Sequence, residues 1–300
     1  MARRSAGGLV RGESRFGFLL AVPALIAFSI TILYPLLRAL VKSLYRDTLF
    51  TPTPVFVGLD NFRRFFQDPR LLQTWGTTIL FVAGTTALAF VLGLTWALLL
   101  SQPFRGRAPL RAASLLPWVL PSTVTGFLWA WLFNAQYGVI NAFLMHIGAL
   151  AEPVAWMATP WGAMAAVILA RAWASMPWFT ALFLAGLQTL PPEQLEAARV
   201  DGAGNWAVLR YVVLPHLRHV MMIVLILGAI GNLQLFDIIH VMTRGGPARA
   251  TTVFSIEVFN QAFQNWNTGM ASAIGVVWLL TIAVPAFFYL RSLFRQVKQS

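Results

Sequence analysis

Apolar and polar positions in this 300-residue chain fall into long blocks rather than helical or strand periods. No Asp, Glu, Lys or Arg occurs from Phe16 to Leu37, Leu71 to Phe104, Ala112 to Ala151, His219 to Phe236 or Val258 to Leu290. Arg171 alone interrupts the stretch from Pro153 to Pro192. A helix that crosses a bilayer needs about 20 consecutive apolar residues. The blocks therefore predict six spans, over residues 16–37, 75–100, 111–133, 161–188, 217–240 and 270–291. This is the pattern of an all-α, polytopic membrane bundle.

Local signals refine these elements. Tyr34-Pro35 ends or kinks the first span, and Leu36 to Leu49 extends it as an interfacial helix. Thr51-Pro52-Thr53-Pro54 is a stiff connector, and Asp60 or Asn61 caps an amphipathic helix. Pro117 and Pro121 fall inside the third span, where a bundle tolerates them if neighbours satisfy the freed carbonyls. Asn134 to Pro160 forms a loop. The predicted organisation is a basic tail (1–15), a first span with its external loop (16–74), a membrane core (75–291) containing a polar loop at 191–216, and a second tail (292–300).

Composition agrees with the pattern: 58% of residues are hydrophobic and 11% charged, where a soluble domain carries about a quarter charged. The mean hydropathy is +0.69. The excess of 22 Lys and Arg over 10 Asp and Glu reads as membrane orientation, not nucleic-acid binding, because so little soluble surface is left. With the N-terminus in the cytoplasm, the inner side holds Arg3, Arg4, Arg11, Arg15, Arg105, Arg107, Arg111, Arg199, Arg210, Arg218, Arg291, Arg295 and Lys298. The outer side holds fewer, although the first external loop (Arg38, Lys42, Arg46, Arg63, Arg64, Arg70) runs against the positive-inside rule. No cysteine is present, which removes disulfides, thiolate nucleophiles and thiolate metal sites.

Between the fourth and fifth spans lies a wet segment. Pro191-Pro192 stops the fourth span, and a helical pattern follows with Leu195, Ala198 and Gly202 on one stripe beside Glu193, Glu196 and Arg199. Gly202 and Gly204 allow a sharp bend. A second helix then carries Trp206, Leu209 and Val213 on a common face and stops at Pro215. Helix, bend, helix across the membrane face is the form of a docking element for a soluble partner.

Glu196-Ala197-Ala198, Asp201-Gly202-Ala203 and Leu214-Pro215 at this spacing resemble the cytoplasmic "EAA" loop of binding-protein-dependent ABC importer permeases. The likeness runs through Phe56-Val57-Gly58-Leu59-Asp60-Asn61-Phe62, Leu116-Pro117-Trp118, Trp131-Leu132-Phe133-Asn134, Tyr137-Gly138-Val139-Ile140-Asn141, Leu184-Ala185-Gly186-Leu187-Gln188, Phe236-Asp237, Thr243-Arg244-Gly245-Gly246-Pro247 and Ala250-Thr251-Thr252. It is similar to the carbohydrate-uptake branch, the maltose and glycerol-3-phosphate permeases. The resemblance implies the six-span type I (MetI-like) permease fold and an inner-membrane transport subunit. It implies two ATPase subunits that bind ATP-Mg, a second and distinct permease, and a periplasmic or lipid-anchored solute-binding protein. Glu196, Ala197, Ala198, Asp201, Gly202 and Pro215 would then couple this chain to the ATPase. Glu196 would meet a basic group there, and the loop at Gly245-Gly246-Pro247 would face the binding protein.

Other chemistry is sparse. There is no Gly-x4-Gly-Lys-Ser/Thr, so the chain is not expected to hydrolyse ATP or to hold a cofactor of its own. His216 and His219 have a metal-like spacing without an acidic partner. Arg171 is an ionisable group inside a span, which must face a cavity or partner rather than lipid. It suits either a polar or anionic substrate, or a structural role near Pro177 or beside a carboxylate. Asn232, Gln234 and Asp237 suit sugar hydroxyls or interhelical hydrogen bonds. Trp118, Trp129, Trp131, Trp173 and Trp178 suit ring stacking or packing. A gradient-driven carrier or channel is the alternative reading, but neither inverted repeats nor acidic relays within spans are evident. An intramembrane enzyme would need a nucleophile or metal set.

Overall fold

The computed structural model describes Phe18, residues 20–50 and residues 52–297, with backbone alone for 289, 290 and 292–297. The tail at 1–15 and Lys298 lie outside these residues. Helix dominates, and the chain divides into two compact units.

One unit holds the described residues through Phe65 together with Gln261–Val277. Its first span, α1 (Leu20–Lys42), has none of its apolar stretch buried, the condition of a helix whose neighbours are lipid tails. A short antiparallel hairpin follows, β1 (Tyr45–Arg46) against β2 (Val55–Phe56), with Tyr45 opposite Phe56. Buried Asn61, in the first turn of α2 (Asp60–Gln67), donates its amide to the carbonyls of Ser43 and Tyr45 at 2.8 and 2.9 Å. That fastens the turn after α1 and accounts for the polar residue in the Leu59-Asp60-Asn61-Phe62 motif. Asp47 accepts from Lys42 at 2.9 Å and from Thr268 at 2.6 Å. Those bonds, Thr268 first, hold its carboxyl below the usual carboxylate range.

The second unit holds Phe66–Asn260 and the chain from Trp278. Its centre is the pair α3 (Pro69–Ser101) and α7 (Pro160–Gln188), capped by Asp68 and Thr159 respectively. Both helices bury many small residues, among them Ala89, Gly93 and Ala97 on α3 and Ala163, Ala166, Ala170 and Ala172 on α7, and Gly93 lets α3 close on Phe179 and Thr180 of α7. Without a hydrophobic driving force between helices in lipid, such residues supply close van der Waals approach. The other elements are α4 (Arg107–Val119), α5 (Ser122–Leu132), α6 (Val139–His146), α8 (Pro192–Val200), α9 (Asn205–Leu233), α10 (Asp237–Met242) and α11 (Phe254–Phe259). The last helix, α12 (Thr268–Val297), begins in the first unit.

The expected spans at 75–100, 161–188 and 270–291 match α3, α7 and α12, with ends moved outward. The prolines behave differently from expectation. Neither Pro35 nor Pro215 ends its helix. Each is preceded by a π-turn, Ser29–Leu33 and Leu209–Val213. Tyr34 N–H bonds to the Ser29 carbonyl and Leu214 N–H to that of Leu209, five residues back. The register shift is thus taken one turn ahead of the residue that lacks a donor, and the helix continues. The fifth span consequently runs over 205–233 rather than 217–240. Pro121 does the reverse. It holds Leu120 extended (φ −66°, ψ 134°) and turns α5 away from α4 by 96°. The third span is therefore a broken pair, so five continuous candidate spans become six when that pair is counted as one.

Candidate functional site

Beside the α3–α7 contact lies a cavity of about 230 Å³ lined by Trp118, Arg171, Ser175, Trp178, Phe179, Leu227, Gly228, Gly231 and Asn232. Three helices build its polar wall. Arg171 Nε on α7 donates to Asn232 Oδ1 on α9 at 2.8 Å, and the Asn232 amide donates to Thr86 Oγ1 on α3 at 3.0 Å. Asn232 is buried, so both ends of its amide are used in holding the arginine. The partner of Arg171 is a neutral amide, and among the described residues no carboxylate pairs with it. At Gly228 an added Cβ would stand 2.4 Å from the Phe179 ring, so this glycine admits the aromatic wall. At Gly231 an added Cβ meets nothing within 4 Å, because that position opens on the cavity.

At the end of α7 the chain turns at Pro191 into α8, whose C-terminus is closed by a Schellman motif. Ala203 N–H bonds to the Ala198 carbonyl (2.9 Å) and Gly202 N–H to the Arg199 carbonyl (3.0 Å), with Gly202 at φ +81°. Leu195, Ala198 and Ala203 turn inward onto a small core of Leu190, Val208, Val213 and Leu217, with Leu94 and Leu98 of α3 beneath. The outer face carries exposed Glu196, Ala197, Asp201 and Gly202. Val200 and Trp206 stand out as well, 86% and 73% exposed. An apolar pair beside a carboxylate, presented on a rigidly capped bend, is a surface suited to a protein partner.

A family described as the binding-protein-dependent transport system inner membrane component matches residues 89–291. The chain belongs to this family. It is similar to the trehalose/maltose transport system permease protein of Thermococcus litoralis, 35% identical across 93% of this chain and 94% of that protein. The sulfoquinovosyl glycerol transport system permease protein of Agrobacterium fabrum is 36% identical across 92% and 90%. Among solved structures, a bacterial alginate ABC transporter in complex with an alginate pentasaccharide-bound periplasmic protein contains a chain that covers 95% of this one. That chain is itself 96% covered, with a TM-score of 0.78 at 20% identity, which is a likeness of fold.

In this inner membrane component the coupling-loop residues named from sequence lie together at one end of the bundle, except Pro215. It is exposed but stands well inside α9, just past the π-turn at Leu209–Val213, and the helix it was expected to stop runs on through it. Trp206 does not share a face with Val213: the former is open and the latter buried. Of the four polar candidates in the spans, Arg171 and Asn232 meet in the cavity. Gln234 and Asp237 do not line it, because α9 ends at Leu233, Gln234 follows in the turn and Asp237 opens α10. Of the tryptophans, Trp118 and Trp178 face the cavity, while Trp129 and Trp173 pack edge to face at 5.8 Å within a core. Ser175, Gly228 and Gly231 were not singled out from sequence. Only a helical projection of α9 onto Asn232 would have marked the two glycines. His216 meets Thr189 at 3.0 Å and His219 meets Arg218 at 3.2 Å, so they take separate partners.

The Gly245-Gly246-Pro247 loop is cross-tied by Thr251 to the Gly246 carbonyl and by Thr252 to the Gly245 carbonyl, both 2.9 Å. Arg249, at φ +64°, reaches Glu257 at 2.7 Å and Thr74 at 3.0 Å. Glu257 is 1% exposed. The loop is therefore tied to the start of α3 and to α11 rather than hanging free.

Proposed function

We propose that this permease carries a sugar or related polyhydroxy solute across the cytoplasmic membrane, driven by separate ATPase subunits that dock on the α8 bend. The observation that carries the coupling half is that bend: a Schellman-capped turn presenting Glu196, Val200 and Trp206 outward while its inner face rests on α3 and α7. A push on such a capped unit reaches α9 directly, because α9 begins only three residues after Gly202. The trehalose/maltose, sulfoquinovosyl glycerol and lactose permeases among its relatives support a sugar-like cargo. A wall of Trp118 and Trp178 with polar groups between them suits a ring with an apolar face and hydroxyl edges.

In this reading the ATP-Mg belongs to the ATPase pair. A second permease completes the path, a solute-binding protein delivers to the Gly245-Gly246-Pro247 side, and both termini of this chain are cytoplasmic. The distribution of Lys and Arg supports that orientation, thirteen of the twenty-two falling on the inner side. Proteoliposomes carrying the complete assembly should accumulate labelled sugar only with ATP and the binding protein. Uptake by this chain without nucleotide would favour the gradient-driven carrier instead.

A further inference from the structure

The chemistry of the cavity bears on which sugars fit, an inference that rests on its assignment to the translocation path. Arg171 is the one charged side chain among the lining residues. Its Nε is committed to Asn232, whose amide is in turn committed to Thr86. The effect is to fix the guanidinium plane while leaving its far edge, the two terminal nitrogens, with no hydrogen bond among the described residues. Ser175 does not compete for that edge, since its hydroxyl donates to the Arg171 carbonyl of its own helix at 2.7 Å. A cation held inside a membrane span is costly unless something answers its charge. A neutral sugar offers hydroxyls but no compensating charge. An oxyanion offers two oxygens in the plane and spacing that the free guanidinium edge matches.

We propose that the cavity takes a polyhydroxylated solute bearing a negative group, a carboxylate, sulfonate or phosphate ester seated on the outer edge of Arg171. Trp118 and Trp178 then provide the apolar faces for the sugar ring. Asn232 and Thr86 are positioning residues: they aim the arginine and are not themselves consumed by the solute.

The test is uptake by the complete transporter in proteoliposomes, with matched neutral and acidic probes: glucose with glucuronate, maltose with maltobionate, glycerol with glycerol 3-phosphate. Wild type should import at least one acid in preference to its neutral counterpart. Arg171→Gln, which can still donate to Asn232, should lower import of that acid by about 10- to 100-fold, the worth of a charge-assisted hydrogen bond, and lower that of the neutral counterpart far less, so that the preference for the acid is lost. Arg171→Lys should retain part of the preference. Equal loss of acidic and neutral import, or dissociation of the permease pair, would mean that Arg171 holds structure or meets a carboxylate of the second permease, and would overturn the proposal. So would import of neutral sugars alone, which leaves the sugar-importer reading standing. Import of no probe by an assembly that hydrolyses ATP would sink both readings.

Discussion

Replacing Gly202 by valine puts a β-branched side chain at φ +81°, where an added Cβ finds open space but the backbone is in the left-handed region. With no neighbour within 4 Å to clash, the cost is conformational alone. For an L-residue it is about 1–2 kcal/mol, and no gain from restricting the unfolded chain offsets it at a position where φ is positive. Valine is the worst case and asparagine, which tolerates this region, the mildest. Because the bend is exposed and the buried core beneath it is untouched, the strain should distort the Schellman turn rather than unfold the bundle. About 1–2 kcal/mol against the docked geometry is a factor of about 5–30. Association of the purified permease with its ATPase subunit, titrated in detergent or nanodiscs, should weaken in the order Gly, Asn, Ala, Val. Membrane-inserted yield and thermal midpoint should stay within error of wild type. A valine variant that binds the ATPase as tightly as glycine would refute the claim that the capped bend is the docking geometry.

Four further substitutions probe other parts of the structure. Gly231→Leu should fill the cavity and abolish uptake at unchanged stability, whereas Gly228→Ala, pressed against Phe179, should cost about 1–3 kcal/mol; thermal unfolding and transport assays separate the two. Arg249→Ala removes an ion-pair partner of the buried carboxylate at Glu257 and should destabilise by about 1–3 kcal/mol, less than the about 3–5 of a fully buried pair because the Arg249 side chain is 32% exposed. Asp47, with its carboxyl held below the usual range by Thr268 and Lys42, contributes stability that is complete above the unfolded carboxylate pKa and lost as pH falls through the lower folded value. Melting followed from pH 6 to pH 3 should therefore show an acid-side decline that Asp47→Asn flattens.

The membrane character of the chain was legible from charge-free blocks alone, because bilayer thickness imposes a length that composition reveals. The helix–bend–helix at 192–208 was legible too, since a Pro pair, a glycine and a carboxylate-rich turn each have one strong local preference. What sequence did not disclose was the effect of each proline. Pro35 and Pro215 are absorbed by π-turns upstream, while Pro121 breaks its span, and only the hydrogen bonds of the preceding turn distinguish them. The cavity was half visible. Arg171 and Asn232 stood out as polar groups in apolar runs, but Gln234 and Asp237 looked equivalent until the helix was seen to end at Leu233. Gly228 and Gly231 carry no polar signal, and their part in shaping the cavity follows from what an added Cβ would meet.

Since the chain has no cysteine, single cysteines at the exposed positions Glu196 and Ala197 can be labelled with a membrane-impermeant maleimide without background. The reading of the α8 bend as the seat of the ATPase predicts rapid labelling in inside-out vesicles stripped of ATPase, protection when the ATPase is restored, and none in intact spheroplasts. Labelling from the outside of spheroplasts, or an inner-side rate indifferent to the ATPase, would contradict it.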